Sequence, residues 1–425
     1  MPRSLRSLLL AALASLVFAA LPSSAAAAPA MGSQFHCNWS NYTDAQRGAV
    51  LDRLAGAGVT WTRIDIGWDA IQPQRGARLS SWHIDLADRC VDMARARGLR
   101  VLGMLHMTPG WANGEQGTNV PPTDVGDYAW IAGWAARHFR GRIAAWEVWN
   151  EPNLADFWAG DVVDYVALLR AAYPAFKQGD PKARVVFGGV AYNDDAYIRK
   201  AYAAGAKGSF DVLATHPYQG RGDLRPEAPD DGTIWRLSHL PAVRKVMVAN
   251  GDGGKPIWFS EFGWSAHGNW SGIPSWQRGV SLQLQARYLV RALEYIKRYP
   301  YVTQTFWYAE RNRTDSNVQA NNYGLLYRDL TPKPAYHALQ DYLTGEGSGE
   351  EATPPVVRPV VRPTGLVWYG RVWRRGQLAA FRAERQRRGV SLPWRAFVGR
   401  HPKVRAVFGL SATGAGSRGT ASVRR

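Results

Sequence analysis

Two short aromatic-rich segments each carry a glutamate that could act as an acid, a base or a nucleophile. The first is WEVWNEPN (146–153), which contains Glu151, and the second is WFSEFGW (258–264), which contains Glu261. Two carboxyl groups can hydrolyse a sugar acetal, because one protonates the leaving oxygen while the other acts on the opposite face of the ring. A separation of ~5–5.5 Å makes the second group a nucleophile, whereas ~6.5–9.5 Å leaves room for a water molecule.

The residues near these glutamates favour different protonation states for the two carboxyl groups. A partly dry pocket rich in tryptophan would raise the pKa of an acid. A nearby cation such as Arg63 would lower the pKa of a nucleophile. The alternative interpretation of Glu151 is a helix-start carboxylate, since Pro152 suits a first helical turn and acidic groups are favoured there.

Other acidic residues in the same regions are interpreted as structural or solvated. Glu147 has the strand parity of Glu151 and is predicted to be a buried, hydrogen-bonded carboxylate. Asp65 could have either role, and a structural role is favoured. Glu310 lies in the polar run AERNRTDSN and is predicted to be solvated.

Eight short runs rich in β-branched and aromatic residues alternate with amphipathic helical patterns. The predicted strands lie near residues 33–36, 59–65, 100–105, 143–149, 184–189, 210–215, 256–261 and 303–308. The clearest helical patterns cover residues 44–58, 81–98 and 281–299. Eight strand–helix units predict the α/β class and a closed (β/α)8 TIM barrel. An open doubly wound sheet would need a glycine-rich turn after the first strand, and residues 36–45 contain no glycine.

A barrel of parallel strands places its chemistry at the carboxyl ends of the strands. The polar and aromatic residues at the predicted strand ends are Arg63, Asp65, His106, Asn150, Glu151, His216, Tyr218, Glu261 and Trp307. We expect these side chains to converge on one polar, aromatic cleft.

Residues 31–345 resemble a clan A glycoside hydrolase, a barrel whose members are retaining β-glycosidases. In that clan the acid/base glutamate lies in an Asn-Glu-Pro motif after strand four, and the nucleophile ends strand seven. The segment WEVWNEPN is most similar to family 39, which includes β-xylosidases and bacterial exopolysaccharide hydrolases. Family 5, with its cellulases and mannanases, shares the shorter motif and is the alternative. The resemblance makes Glu151 the acid/base and Glu261 the nucleophile.

The same resemblance implies roles for the residues around the two glutamates. Asn150 would hydrogen-bond the sugar 2-hydroxyl, Arg63 and Tyr218 would orient the nucleophile, and His216 would lie beside the acid/base. Trp307 would form the floor of the subsite at the cleavage point. The remaining residues expected to contact the substrate are His106, Trp149 and Trp264.

The other tryptophans divide by position. Trp61 and Trp146 lie within predicted strands and are expected in the core. Six fall in or near loops after strand ends, and two or three of them are expected to stack on sugar rings: Trp68, Trp111, Trp158, Trp264, Trp270 and Trp276.

The sequence contains no pattern that predicts a metal or a cofactor. HExxH, CxxC and aspartate-rich calcium loops are absent, as are GxxxxGK[ST] and the GxSxG of serine esterases. Two cysteines exclude a disulfide-stapled scaffold and a four-cysteine zinc site. Cys37 and Cys90 could pair in an oxidising compartment, but the unpaired state is slightly favoured.

Residues 1–30 have the features of an export signal. Arg3 and Arg6 precede an apolar run of 15 residues, and small residues follow it, so cleavage is expected after Ala30 or nearby. An uncleaved anchor is the alternative, although the run is short for a membrane span. No later segment is long and apolar enough to span a membrane. The mature protein is therefore expected to be secreted or cell-wall associated.

The C-terminal region carries most of the charge. Residues 351–425 contain 16 Lys and Arg against 2 Asp and Glu, a net +14 of the +18 for the whole chain. Residues 346–365 predict a linker rich in Pro and Gly, and residues 366–425 a basic segment that could form a helical hairpin. A disordered basic tail is the alternative. An acidic cell-wall polymer suits the tail as a partner, and no nucleic acid is expected.

These observations predict a secreted retaining β-glycoside hydrolase that cleaves a polysaccharide or oligosaccharide by double displacement. Two alternatives share the fold. One is a barrel that binds a cell-wall glycan without catalysis, which the presence of both glutamates disfavours. The other is a transglycosylase, in which an acceptor sugar outcompetes water.

Overall fold

A computed structural model describes residues 28–345 with the exception of residues 40 and 77. The predictions made for residues 1–27, for the linker and for the basic C-terminal segment lie outside the described residues. The described residues therefore comprise the domain for which the sequence predicted a barrel, residues 31–345.

Eight parallel strands form a closed barrel in chain order, and β8 closes it by pairing with β1. The strands are β1 Ala30–Gln34, β2 Trp61–Gly67, β3 Arg100–His106, β4 Ala145–Asn150, β5 Arg184–Ala191, β6 Val212–His216, β7 Ile257–Phe262 and β8 Val302–Trp307. Each predicted strand overlaps one of these eight. The predicted (β/α)8 barrel is confirmed.

Helices surround the barrel and follow its strands. They are α1 Asp44–Gly56, α2 Trp68–Ile71, α3 Ser81–Arg95, α4 Gly110–Asn113, α5 Val125–His138, α6 Val162–Gly179, α7 Asp195–Ala203, α8 Leu240–Ala249, α9 Leu282–Ile296 and α10 Pro334–Thr344. The three clearest predicted helices correspond to α1, α3 and α9. None of the helices in the described part of the chain has the length and apolar character to cross a membrane.

Local sequence explains where the long helices begin. The Thr43 side chain accepts a hydrogen bond from the amide of Gln46, and the Gln46 side chain accepts one from the amide of Thr43, which forms a capping box at α1. Ser281 accepts a hydrogen bond from the amide of Leu284 at the start of α9. These caps satisfy backbone donors that have no partner inside the helix.

The barrel interior is apolar at one end and polar at the other. Trp61, Trp258 and Phe306 pack edge to face or tilted against one another and fill the end at which the strands begin. A Cβ at Gly32 would overlap the ring of Phe306, so only glycine allows this close approach. Further along β2, the next inward-facing side chain after Trp61 is that of Arg63. The polar layer of the interior therefore lies towards the carboxyl ends of the strands.

A second apolar layer lies between the barrel and the helices. Trp146 on β4 stacks on Phe176 of α6, with 5.4 Å between ring centroids. Trp61 and Trp146 are both buried, which confirms the core positions predicted for them.

The expectation that Cys37 and Cys90 remain unpaired is wrong. The two residues form a disulfide, because α3 packs so that its Cys90 brings its Cα to 5.9 Å from that of Cys37. Sequence separation gives no measure of this distance. The bond ties the segment after β1 to α3.

Candidate active site

The guanidinium of Arg63 connects three strands at the mouth of the barrel. Its Nε donates to Oε2 of Glu147 at 2.5 Å, its Nη1 to Oε1 of Glu261 at 2.6 Å, and its Nη2 to Oδ1 of Asn150 at 2.9 Å. Arg63 is 1% exposed, so these ion pairs are shielded from solvent. Because the guanidinium is a rigid planar fork, it fixes the positions of all three side chains.

Glu147 is a buried structural carboxylate, as predicted. Its Oε1 accepts hydrogen bonds from the Ser260 hydroxyl at 2.6 Å and from the Gly189 amide at 3.0 Å. Its other oxygen accepts from Arg63. All of its contacts therefore hold neighbouring strands together below the reacting groups.

Glu261 ends β7 with hydrogen bonds to both of its carboxylate oxygens. Arg63 donates to Oε1, and the hydroxyl of Tyr218 donates to Oε2 at 2.9 Å. Burial raises the pKa of Glu261, but the positive charges of His216 and Arg63 and the hydrogen bond from Tyr218 outweigh it. The pKa of Glu261 is therefore below its usual value, and the side chain is held as a carboxylate.

Glu151 follows β4 in an unusual backbone conformation. Its φ is +43°, and Trp149 two residues earlier has a φ of +75°. Such values are unfavourable for residues other than glycine, and they concentrate at functional sites. The Glu151 amide donates to the carbonyl oxygen of Gly189 on β5, which anchors the turn at the mouth of the barrel.

The carboxyl group of Glu151 has the electrostatic properties of an acid. Burial raises the pKa of Glu151, and the hydrogen bond and charge of His216 oppose this shift without cancelling it. Oε1 of Glu151 lies 2.8 Å from Nδ1 of His216. Glu151 and Glu261 therefore have pKa shifts in opposite directions, which is the pattern expected of an acid and a nucleophile.

The two carboxyl groups are close together. An oxygen of Glu151, a ring nitrogen of His216 and an oxygen of Glu261 all lie within 4.8 Å of one another. Both carboxyl groups therefore belong to a single site. Three such ligands can also bind a cation, but Arg63 and Tyr218 already donate to both oxygens of Glu261.

A hydrogen-bonded chain leads from Glu151 into the barrel. Nε2 of His216 lies 3.0 Å from Oγ of Ser260, whose proton is donated to Glu147. Burial opposes the charged form of His216, but the charges of Glu261 and Glu151 and the hydrogen bond with Glu151 outweigh it, so the pKa of His216 is raised. The lone pairs of the Ser260 hydroxyl are free to accept, so Nε2 carries the proton whenever the imidazole is neutral. In that neutral tautomer Nδ1 accepts a hydrogen bond from the protonated carboxyl group of Glu151. Ser260 thus selects the neutral tautomer that is compatible with a protonated Glu151.

Gly189 provides the space for this chain. A Cβ at residue 189 would overlap Nε2 of His216 and approach the hydroxyl of Ser260. The imidazole therefore packs directly against the backbone of β5.

Ser260→Ala tests the tautomer assignment. Without an acceptor at Nε2, neutral His216 is expected to carry its proton on Nδ1. Nδ1 then donates a hydrogen bond to Glu151 and stabilises its ionised carboxylate. The alkaline limb of the pH–rate profile should move to lower pH, and kcat should fall ~10-fold, the value of roughly one hydrogen bond. Nitrogen-15 NMR of labelled His216 reports the tautomer directly. Ser260→Thr keeps the hydroxyl and serves as the control, and an unchanged tautomer in Ser260→Ala would refute the assignment.

Comparison with known proteins agrees with this site. Residues 23–313 match the family described as cellulase, glycosyl hydrolase family 5. The chain belongs to this glycosyl hydrolase family. The match covers β1 to β8 and includes both glutamates. The predicted resemblance to clan A glycoside hydrolases is confirmed.

Solved structures of glycosyl hydrolases share the barrel. A family 39 enzyme from Bacteroides cellulosilyticus WH2 is 25% identical, with a TM-score of 0.61 over 74% of this chain and 64% of that one. A family 39 β-xylosidase from Caulobacter crescentus is 20% identical, with a TM-score of 0.57 over 74% and 72% of the two chains. The similarity to the Caulobacter crescentus enzyme shows a shared fold and nothing more.

Among curated proteins, a β-xylosidase of Caldicellulosiruptor saccharolyticus is 27% identical over 249 residues. These residues are 54% of this chain and 49% of the relative. A β-xylosidase of Geobacillus stearothermophilus is 24% identical over 281 residues, which are 59% and 54% of the two chains. The glycosyl hydrolase chain thus spans about half the length of these relatives.

His106 is brought into this glycosyl hydrolase site beside Asp65 and Arg63. Burial lowers the pKa of His106 to about 4, although the charge of Asp65 opposes the shift. His106 is therefore neutral near pH 7. Asp65 is partly buried and accepts a hydrogen bond from the Gln34 side chain at 2.8 Å.

Three tryptophans expected to contact sugar are buried. Trp149 and Trp307 are 1% and 0% exposed, and their indole nitrogens donate to the carbonyl oxygens of Phe157 and Tyr323. Both indoles are thus packed inside the protein, and the sugar contacts assigned to them stay predictions. Trp264 is also buried, but it borders a cavity beside the site.

Tyr308, the residue after Trp307, lies beside two tyrosines of the site. It is half-buried, and its ring centroid lies 6.4 Å from that of Tyr218 and 5.6 Å from that of Tyr323. Arg313 donates to its hydroxyl. Tyr308 therefore extends the aromatic surface next to the hydroxyl that holds Glu261. The sequence contained the needed signal, since Tyr308 directly follows β8.

The prediction of a solvated Glu310 is wrong. Glu310 is 2% exposed, lies 3.0 Å from Nδ1 of His36, and accepts a hydrogen bond from the Tyr42 hydroxyl at 2.9 Å. Closure of the barrel between β1 and β8 brings these loops together. A polar residue three positions beyond β8 could have been included among the strand-end candidates.

Proposed function

We propose that the protein is a secreted retaining β-glycoside hydrolase that cleaves β-linked oligosaccharides or polysaccharides. The observation that carries the proposal is the approach of Glu151 and Glu261 to within 4.8 Å, with pKa shifts in opposite directions. Family membership supports it. The β-xylosidases among the relatives favour a neutral pentose or hexose at the cleavage point.

In the first step the carboxylate of Glu261 attacks the anomeric carbon of the sugar. Glu151 transfers its proton to the glycosidic oxygen, the bond to the leaving group breaks, and an ester bond to Glu261 forms. The leaving group departs as a neutral alcohol. Glu151 is left as a carboxylate beside His216.

In the second step Glu151 acts as a base. It takes a proton from a water whose oxygen attacks the anomeric carbon, and the ester bond to Glu261 breaks. Both glutamates return to their starting states. Two displacements on opposite faces of the sugar leave the configuration of the anomeric carbon unchanged.

Neighbouring side chains keep the reacting groups in position. Arg63 and Tyr218 hold both oxygens of Glu261, so its attacking lone pair has a fixed direction. The amide oxygen of Asn150 is occupied by Arg63, which leaves its NH2 group free to donate to the sugar 2-hydroxyl.

Proton NMR of the products tests retention. We expect wild-type protein, given β-xylosides and β-glucosides, to release the β-anomer first, with the α-anomer appearing only through later mutarotation. Release of the α-anomer first would show inversion and contradict the short carboxylate spacing. Boiled enzyme with the same substrates measures the background.

Secretion is part of the proposal and is supported by the signal features of residues 1–30. Ala30 is the first residue of β1, so cleavage after it would leave Met31–Gln34 to pair in the barrel. Association of the basic tail with an acidic wall polymer also remains a proposal, which rests on the +14 charge of residues 351–425.

A further inference from the structure

The amino group of Lys333 is buried without an acidic partner among the described residues. Lys333 is the N-cap residue of α10 and is 0% exposed. Lysines are almost never fully buried unless they form an ion pair. The Nζ of Lys333 donates to two neutral oxygens, Oδ1 of Asn312 at 3.3 Å and the carbonyl oxygen of Asn322 at 3.2 Å. Two acceptors match the two N–H groups of an uncharged amine, whereas an ammonium group has a third N–H to satisfy.

Both acceptors belong to the loop between β8 and α10, residues 308–332, which we call the β8 loop. Nδ2 of Asn312 donates to Oδ1 of Asn322 at 3.0 Å. Nδ2 of Asn322 donates to the carbonyl oxygens of Ser316 and Val318, each at 2.8 Å. The buried amine therefore binds the loop where its two halves meet, and it ties both halves to the start of α10.

The residue after Asn322 lies beside the reacting groups. The ring centroid of Tyr323 is 5.8 Å from that of Tyr218, whose hydroxyl donates to Glu261. The carbonyl oxygen of Tyr323 accepts a hydrogen bond from the indole of Trp307 at 2.9 Å. The β8 loop thus supplies one wall of the active site, and the position of this wall depends on how firmly Asn322 is held.

The surroundings of the amine disfavour its charged form. Burial lowers the pKa of Lys333 to about 7, and no neighbouring charge contributes to the shift. The segment after β7 and helix α9 add neutral groups, since the Ala266 amide and the Gln285 side chain donate to the carbonyl oxygen of Asn322. Of the charged groups on the loop and on α10, Arg311 and Arg313 stack on Tyr42 and Trp39, Arg328 pairs with Asp315 at the surface, and Asp329 and His337 are exposed. The tyrosines there have raised pKa values and are uncharged near pH 7, namely Tyr323, Tyr327 and Tyr336.

The direction of the pH effect follows from comparing the closed loop with an opened one. In an opened loop the amine of Lys333 lies in water and has its ordinary pKa of ~10.4. From the lowered pKa of about 7 up to that value, the opened loop binds a proton that the closed loop does not. The closed loop therefore gains stability as pH rises through this window. At lower pH both forms carry the charge, and the closed loop stays at its least stable.

We propose that Lys333 is a positioning residue whose uncharged amine closes the β8 loop and holds Tyr323 against Tyr218, and that a charged amine leaves this wall loose. The inference goes beyond the proposed function, because it couples substrate binding to pH through a group that does not touch the reacting atoms. Arg63 and His216 contact the two glutamates from other strands, so the chemical step is expected to change little.

Hydrogen exchange of the β8 loop tests the proposal without a substrate. In the wild type, exchange rates of peptides from residues 308–332, divided by the intrinsic rates, should fall at least ~10-fold between pH 7 and pH 8.5. Lys333→Met has no ionisable group at this position, so its corrected rates should not change over that range. Lys333→Gln keeps a neutral N–H donor, so it should also be insensitive to pH and should exchange more slowly than Lys333→Met. A wild type without the pH response, or a Lys333→Met protein that keeps it, would overturn the proposal.

A matched control removes a lysine that is already in solvent. Lys245→Gln changes an exposed residue of α8 and should show the same pH response as the wild type. Thermal unfolding checks that every variant is folded.

A second readout separates positioning from chemistry. With a β-xyloside as substrate, the KM of Lys333→Met divided by that of the wild type should rise at least ~3-fold from pH 7 to pH 8.5, while the same ratio of kcat values stays within ~2-fold. Both proteins share every other titrating group, so the ratios isolate Lys333. A constant KM ratio, or a kcat ratio that changes as much, would refute the positioning role. If the wild type hydrolyses no β-glycoside, the proposed function fails, and hydrogen exchange still decides the role of Lys333.

Discussion

Glu261→Gly is expected to lower kcat/KM by more than ~10⁴-fold, because it removes the carboxylate that would form the covalent bond to the sugar. Addition of azide should restore turnover, since the small anion fits the space left by the carboxylate. Azide would attack the face from which Glu261 attacks, so the product should be the α-glycosyl azide. Rates measured with and without azide check the loss and its rescue, and NMR of the product checks its configuration.

A stable covalent intermediate provides independent evidence for the nucleophile. A 2-deoxy-2-fluoro glycoside with a good leaving group should label wild-type protein, and mass spectrometry should place the sugar on the peptide that contains Glu261. Glu294→Gln changes an exposed carboxylate on α9 and is the matched control, which should label and turn over like the wild type. A label on any other residue would disprove the assignment.

Glu151→Gly is expected to show a loss that depends on the leaving group. With an unactivated sugar the rate should fall ~10²–10⁴-fold, the usual contribution of a general acid. With 2,4-dinitrophenolate as leaving group no protonation is needed, so the ester to Glu261 should form rapidly and then accumulate. Azide should release it as the β-glycosyl azide. An α-glycosyl azide would mean that the roles of the two glutamates are reversed.

The pH dependence of Glu151→Gly follows from the same assignment. The wild-type acid must be protonated, so activity falls as pH rises through the raised pKa of Glu151. The nucleophile must be ionised, so activity falls as pH drops through the lowered pKa of Glu261. Removing Glu151 should abolish the alkaline limb and leave the acidic limb. Retention of both limbs would show that another group is the acid.

The strand pattern was readable because parallel strands covered on both faces are almost continuously apolar. Each of the eight predicted strands overlaps a strand of the barrel, and the strand-end rule then located Glu151 and Glu261. Arg63 and Tyr218 were placed correctly beside Glu261 by the resemblance. Strand ends are a local property, so a single sequence suffices to find them.

The errors concern residues whose environment depends on which loops meet. Glu310 was expected in solvent, and Cys37 and Cys90 were expected to stay apart. Closure between β1 and β8 buries the first, and packing of α3 beside the segment after β1 pairs the other two. Trp307 is buried, whereas the next residue, Tyr308, is half-buried beside Tyr218, and no local pattern distinguishes these two positions.

The sequence by itself determined the barrel and placed Glu151, Glu261 and several of their neighbours at strand ends, because periodicity and strand ends are encoded locally. The tertiary structure alone decided the carboxylate spacing and the hydrogen-bonded chain from Glu151 through His216 and Ser260 to Glu147. The hydrogen bonds of this chain join residues that are 44 to 113 positions apart in the sequence. Such distances are set by the closure of the barrel and by loop packing, and no local pattern in the chain specifies them.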